Sequence, residues 1–183
     1  MNTSAQRYAA ASARFTALVA AMPAPAWKVP SMCEGWSAAE VLAHVVSTET
    51  DFMAQRGLPV APTDGLSPSA AWPVARAAMQ AALDDQATAD IAFDGYFGPT
   101  TVGVTIDRFY TLDLILHRWD IAAACGLAEH AVLDAGEIEM VRSNLAGLEE
   151  VMRMPGLFGA EVAVPAGADE QTKLLAYVGR SAH

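Results

Sequence analysis

Apolar residues near the start of the chain recur at Tyr8, Ala11, Phe15, Leu18, Val19 and Met22, with Arg7 and Arg14 between them. Spacings of three and four place them on one side of a helix. That helix is predicted from about residue 4 to 22, ended by the turn around Pro23 and Pro25. In CEGWSAAEVLAHVV, Ser37 is placed to cap a second helix and Glu40 to complete a capping box, with Trp36 and Val41 as a hydrophobic staple. The helix should continue to about Arg56, its apolar stripe made by Val41, Val45 and Phe52. GLPVAPTDGLSP reads as a loop, after which Ser67 or Ser69 caps a third helix through Ala70 to Asp85. A fourth helix is expected from about Thr105 to Cys125 with Gly126 as its stop. A fifth should run from about Asp134 to Met154, halted by Pro155 and Gly156. The closing stretch predicts a loop and a short helix with Leu174, Leu175 and Val178 on one side. Between the third and fourth helices, FDGYFGPTTVG is either an ordered crossover loop or a short extended segment. With no convincing strand pair, the pattern predicts an all-α bundle. It is expected to form one domain over residues 1–183, with residues 156–183 as a C-terminal extension packed on it.

The fourth helix breaks the pattern. YTLDLILHRWDIAAACG is apolar yet carries Asp113, His117 and Asp120 at offsets of four and three, which return to nearly the same side of a helix. The opposite side, with Ile115, Arg118, Trp119 and Ala122, is not clearly polar, so the acids are not simply a solvated face. Buried charges are costly unless something pairs with them. A metal ion, a proton relay or a plain salt bridge, with Arg118 as a neighbour, would each fill that role. His44 lies near the edge of the second helix's apolar stripe, and antiparallel helices could bring it opposite Asp113 and His117. Glu49 falls near the middle of that stripe, as a buried acid or, in preference, one partner of an arginine. His130 and His183 read as solvent exposed.

Composition narrows the classes. Of 183 residues, 53% are hydrophobic and 17% charged, which fits a globular chain rather than a disordered one. A formal charge of −10 with no Lys/Arg cluster excludes non-specific nucleic-acid binding. No apolar run reaches the roughly 20 residues of a membrane span, and FTALVAAMPAPA belongs to the first amphipathic helix rather than to a signal peptide. A cytoplasmic protein is expected. Cys33 and Cys125 stand far apart and outside any CxxC pattern, as two buried free thiols. There is no GxSxG elbow, P-loop or GxGxxG opening a βαβ unit, and no pair of ExxH motifs for a carboxylate-bridged di-iron centre.

CEGWSAAEVLAH followed by DLILHRWDIAAACG resembles the mycothiol-dependent maleylpyruvate isomerase-like family, within the DinB/YfiT-like superfamily of metal-binding helical bundles. The closing FGAEVAVPAGADEQTKLLAYVGR is similar to the end of a small metal-binding subgroup typical of actinobacteria. The resemblance implies a DinB-like four-helix bundle with additional short C-terminal helices. It implies a divalent metal, zinc first with nickel, iron or manganese as alternatives. The ligands would fall on His44, Asp113 and His117, with Asp113 standing where the isomerases have glutamate. Asp120, in the H-x-W-D block, would orient a histidine ring from behind or replace Asp113 on the metal.

The implied chemistry is that of a metal-activated thiol, with mycothiol as co-substrate, acting on a small electrophile as an S-transferase or isomerase-like enzyme. Tyr96, Phe97 and Tyr110 would line the pocket. The isomerases carry a further C-terminal domain that contributes a catalytic arginine, and this chain is too short for a comparable one. Arg180 in YVGR is the candidate substitute and, with Asp120, a weak candidate for a catalytic role. Two other readings stand beside this one. The first is a non-catalytic metal-containing bundle that binds a small molecule or a protein partner. The second is a metal-free bundle with an internal Asp113–His117–Asp120 ion-pair network. Superfamily members often pair through helices, so a homodimer is a further expectation.

Overall fold

The computed structural model describes residues 3–154 and 156–181. Pro155 and His183, read above as a helix stop and an exposed terminal histidine, lie outside the described residues. The chain divides into two compact units, Met1–Ala131 and Val132–His183.

The first unit is the bundle expected from the apolar periodicity. Helix α1 (Thr3–Ala21) buries Tyr8, Ala11, Phe15 and Leu18, the residues that recur at helical spacing. After a 3-10 turn at Ala24–Lys28, α2 (Ala38–Gln55) starts at the predicted capping box. The Ser37 hydroxyl accepts from the Glu40 N–H while the Glu40 carboxylate accepts from the Ser37 N–H at 2.7 Å. Ser67 is the cap of α3 (Pro68–Asp84). A short α4 (Gln86–Ala89) leads to an antiparallel hairpin, β1 (Ala92–Gly95) with β2 (Gly98–Thr101). FDGYFGPTTVG is therefore extended up to Thr101 around a turn at Tyr96 and Phe97, a strand pair that the sequence pattern did not announce. Four residues per strand are too few for alternation to register.

A short α5 (Val102–Thr105), capped by Thr101, runs into a π-helical turn at Ile106–Tyr110 and then into α6 (Thr111–Ala124). The predicted fourth helix is thus one continuous path with a π insertion near its start. Gly126, at φ 71°, ends it in the left-handed conformation that glycine adopts without strain. A 3-10 turn at Ala128–His130 closes the unit.

The four long helices form a ring in which α1 neighbours α3 and α6, and α2 neighbours the same two. Phe15 and Trp72 meet across α1 and α3 with ring centroids 4.9 Å apart, and Trp72 Nε1 donates to Thr16 Oγ1 at 2.9 Å. Such pairing of the indole N–H is what burial of tryptophan demands. Apart from half-exposed Asp113, helix α6 is buried from Thr111 through Ala122, matching its lack of amphipathic pattern. Adjacent placement of α2 and α6 is the feature that brings His44 towards Asp113 and His117.

In the second unit, α7 (Ala135–Leu145) begins at an Asp134/Glu137 capping box. The predicted helix to Met154 is interrupted: Gly147 adopts φ 77°, and a separate turn, α8 (Glu149–Met152), follows. Apolar spacing carries across this break, so periodicity alone reads one helix where there are two. Helix α9 (Glu170–Tyr177) buries Leu174 and Leu175, and Val178 beyond it is buried too. Gly179, at φ 79°, passes so close to Gly159 that a Cβ on it would lie 2.7 Å from that backbone. No helix among the described residues is long and apolar enough to cross a membrane.

Candidate metal centre

The site grows from two helix faces. On α2, the run from the Ser37 cap sets Val41, Leu42, Val45 and Val46 inwards and leaves His44 half-buried at the edge of that surface. On α6, Asp113, His117 and Asp120 lie beyond the π turn, in regular helix, so their offsets of four and three hold. The donor atoms of His44, Asp113 and His117 all lie within 4.8 Å of one another. His44 Nε2 stands 4.0 Å from Asp113 Oδ2, and the two imidazoles meet edge to face at 5.4 Å.

The three differ in access. The His44 and Asp113 side chains are 32% and 38% exposed, whereas His117 is buried. Behind His117, Asp120 is fully buried and its Oδ2 accepts from Nδ1 at 3.0 Å. That bond leaves Nε2 as the ring nitrogen not engaged by Asp120.

Proton affinities separate the two imidazoles. Burial disfavours the charged form of His117. The hydrogen bonds with Asp120 and Cys33 and the charges of Asp113 and Asp120 outweigh burial and raise its pKa to about 10. At His44, burial and the neighbouring His117 charge lower the pKa, with Asp113 opposing them. Positive charge is therefore favoured on His117 over His44. Two imidazoles and a carboxylate form a donor set suited to a borderline divalent cation.

Other predicted residues fall in various places. Tyr110 packs against Phe52 with centroids 4.8 Å apart, and its hydroxyl pKa is raised by burial and by Asp113, Glu49 and Asp51 against the pull of Arg56. Tyr96 and Phe97 occupy the hairpin turn, 4.9 Å apart, and Phe97 stacks on Phe109 at 5.6 Å. Tyr96 is largely exposed. Arg180, in the second unit, donates to the Val178 carbonyl at 3.3 Å and lies over the Phe158 ring. Arg118 donates to the carbonyl of His130, which is half-buried rather than exposed.

Three relationships were not read from the sequence. Glu49 meets a phenol instead of an arginine: Tyr8 Oη donates to Oε1 at 2.9 Å, while Oε2 is buried with no hydrogen-bond partner. Trp36 is partly exposed, with its ring 4.8 Å from that of His44, so it walls the site. Both thiols, expected buried, are half-buried, and Cys33 Sγ lies 3.1 Å from Asp120 Oδ2 and 3.7 Å from His117 Nδ1. The available signal was the CEGW block itself, which puts Cys33 and Trp36 just ahead of the helix that bears His44.

Residues 8–70 match the model of the mycothiol maleylpyruvate isomerase N-terminal domain family. The matched segment takes in most of α1, the Cys33–Trp36 loop, and α2 with His44, while Asp113, His117 and Asp120 lie beyond it. No curated protein and no solved structure matches the chain.

Proposed function

We propose that the bundle holds a divalent cation, zinc first, between His44, Asp113 and His117. With it, the protein would act as a thiol S-transferase or isomerase-like enzyme on a small electrophile, with mycothiol as the thiol. The observation that carries this reading is the convergence of two imidazoles and a carboxylate from adjacent helices, one imidazole backed by a buried aspartate. The family match at residues 8–70 supports the choice of thiol. When bound, the cation would supply the positive charge that favours the thiolate form of such a cofactor at neutral pH.

The chain's own contributions follow from burial and hydrogen bonding. Asp120 fixes the His117 tautomer by accepting from Nδ1–H and holds the ring in place. Half-exposed His44 and Asp113 form the side open to small molecules. The Trp36 ring beside His44 offers an apolar surface to a substrate at that opening.

Elemental analysis of protein made without an affinity tag, beside His44→Ala and His117→Ala variants, tests the site. About one equivalent of a divalent metal in the wild type, reduced in both variants, is expected. Cobalt-substituted protein should then change its visible spectrum when mycothiol is added. Metal uptake without any thiol response would leave a non-catalytic metal bundle. An absence of metal after incubation with zinc would return the cluster to a buried ion-pair network.

A further inference from the structure

Cys33 lies in a loop held firmly against α6. The Ser31 N–H donates to the Trp36 carbonyl at 2.7 Å, the Cys33 N–H to Ser31 Oγ at 3.1 Å, and the Met32 N–H to the Asp120 carbonyl at 3.4 Å. These bonds fix the thiol beside the carboxylate and the ring. The resulting triangle has sides of 3.1 Å (Sγ to Oδ2), 3.7 Å (Sγ to Nδ1) and 3.0 Å (Nδ1 to Oδ2).

Tetrahedral zinc with a Zn–S bond of about 2.3 Å and Zn–N and Zn–O bonds of about 2.0 Å separates its donors by about 3.3–3.5 Å. The triangle matches those edges to within a few tenths of an ångström. In the His44, Asp113 and His117 set, His44 Nε2 and Asp113 Oδ2 stand 4.0 Å apart, beyond those edges. A thiolate, an imidazole and a carboxylate together also suit a softer ion than two imidazoles and a carboxylate do.

We propose that Cys33, Asp120 and Nδ1 of His117 form a second cation site for a thiophilic divalent ion such as zinc or cadmium. The two donor sets share His117 and use its opposite nitrogens. Binding displaces the Cys33 thiol proton, and any proton on Nδ1, to solvent. The ion then takes over Asp120 as a ligand. The fold holds three donors and leaves the fourth tetrahedral position to water or an added thiol.

Cobalt(II) titration of the full chain tests this, read through the near-ultraviolet thiolate-to-cobalt charge-transfer band. The band is expected in the wild type, lost in Cys33→Ser, and retained in both Cys125→Ser and His44→Ala. Cys33 is half-buried and the serine nearly isosteric, and a melting curve beside each titration confirms that the variant is folded. No band, or a band that survives Cys33→Ser, would overturn the proposal. Loss of the band in folded His44→Ala would overturn it as a separate site. The proposed function fails differently: Cys33→Ser would then bind no cobalt at all, whereas one remaining equivalent in that variant leaves the His44 site standing.

Discussion

Asp120 Oδ2 lies 3.0 Å from Nδ1 of His117, and Asp120 has no exposed surface. A buried carboxylate in that position supports the ring twice, by hydrogen bond and by charge. Asp120→Asn keeps an acceptor but loses the charge. In a Cys33→Ser background, which isolates the His44 site, the substitution should weaken zinc binding about 10–100-fold, measured by competition with a chromophoric chelator. Unchanged affinity would show that Asp120 only fills space.

Glu49 gives the bundle a pH-dependent stability. Burial raises its pKa to about 8; the Tyr8 hydrogen bond opposes this and the Asp113 charge adds to it. An unfolded glutamate titrates near 4.3, so between that value and about 8 the folded chain holds a proton the unfolded chain has released. Through Glu49, metal-free protein should therefore lose stability as pH rises through this window, and His117, with its pKa raised to about 10, extends the loss to higher pH. Glu49→Gln should make the profile shallower between pH 5 and 8 and exceed the wild type at pH 8 by on the order of a few kcal/mol. Urea midpoints at pH 5 and pH 8 measure it, and parallel profiles would refute it.

Trp36 should report on occupancy. Of the four tryptophans, Trp36 has its ring 4.8 Å from His44. Binding of nickel or cobalt is expected to quench intrinsic fluorescence, with the larger part of the quenching absent in Trp36→Phe. Equal quenching in both proteins would place the ion elsewhere.

In the second unit, the contact of Gly179 with Gly159 has no room for a methyl group, and the positive φ already penalises any side chain. Gly179→Ala should cost roughly 1–3 kcal/mol. Amide exchange should then quicken across α9. Protection equal to the wild type would argue against a tight contact.

The sequence resolved what lies close along the chain. Asp113, His117 and Asp120 are three and four residues apart in regular helix, so geometry alone groups them. The Ser37 box and the Gly126 stop are equally local. Cys33 meets Asp120 across 87 residues, and Tyr8 meets Glu49 across 41, where no periodicity carries information. The same limit explains the second unit. Gly147 interrupts the helix expected to reach Met154 through a backbone conformation that hydrophobic spacing does not encode. Upstream of Thr111, the π turn also invalidates a count of 100° per residue. Ile106 and Phe109 therefore cannot be assigned to the Asp113 face by that arithmetic.

In terms of chain length, the π turn at Ile106–Tyr110 is one residue of slack. Loss of Arg108 would let the turn close with ordinary α-helical bonds, while α6 keeps its own register. The missing residue would then be taken up within the turn itself, leaving α5 and the hairpin about where they are. Such a deletion should disturb the Arg7–Asp107 ion pair yet preserve metal uptake at Asp113 and His117, as elemental analysis would show. The joint between hairpin and bundle thus acts as a spacer that can give up a residue without moving the site.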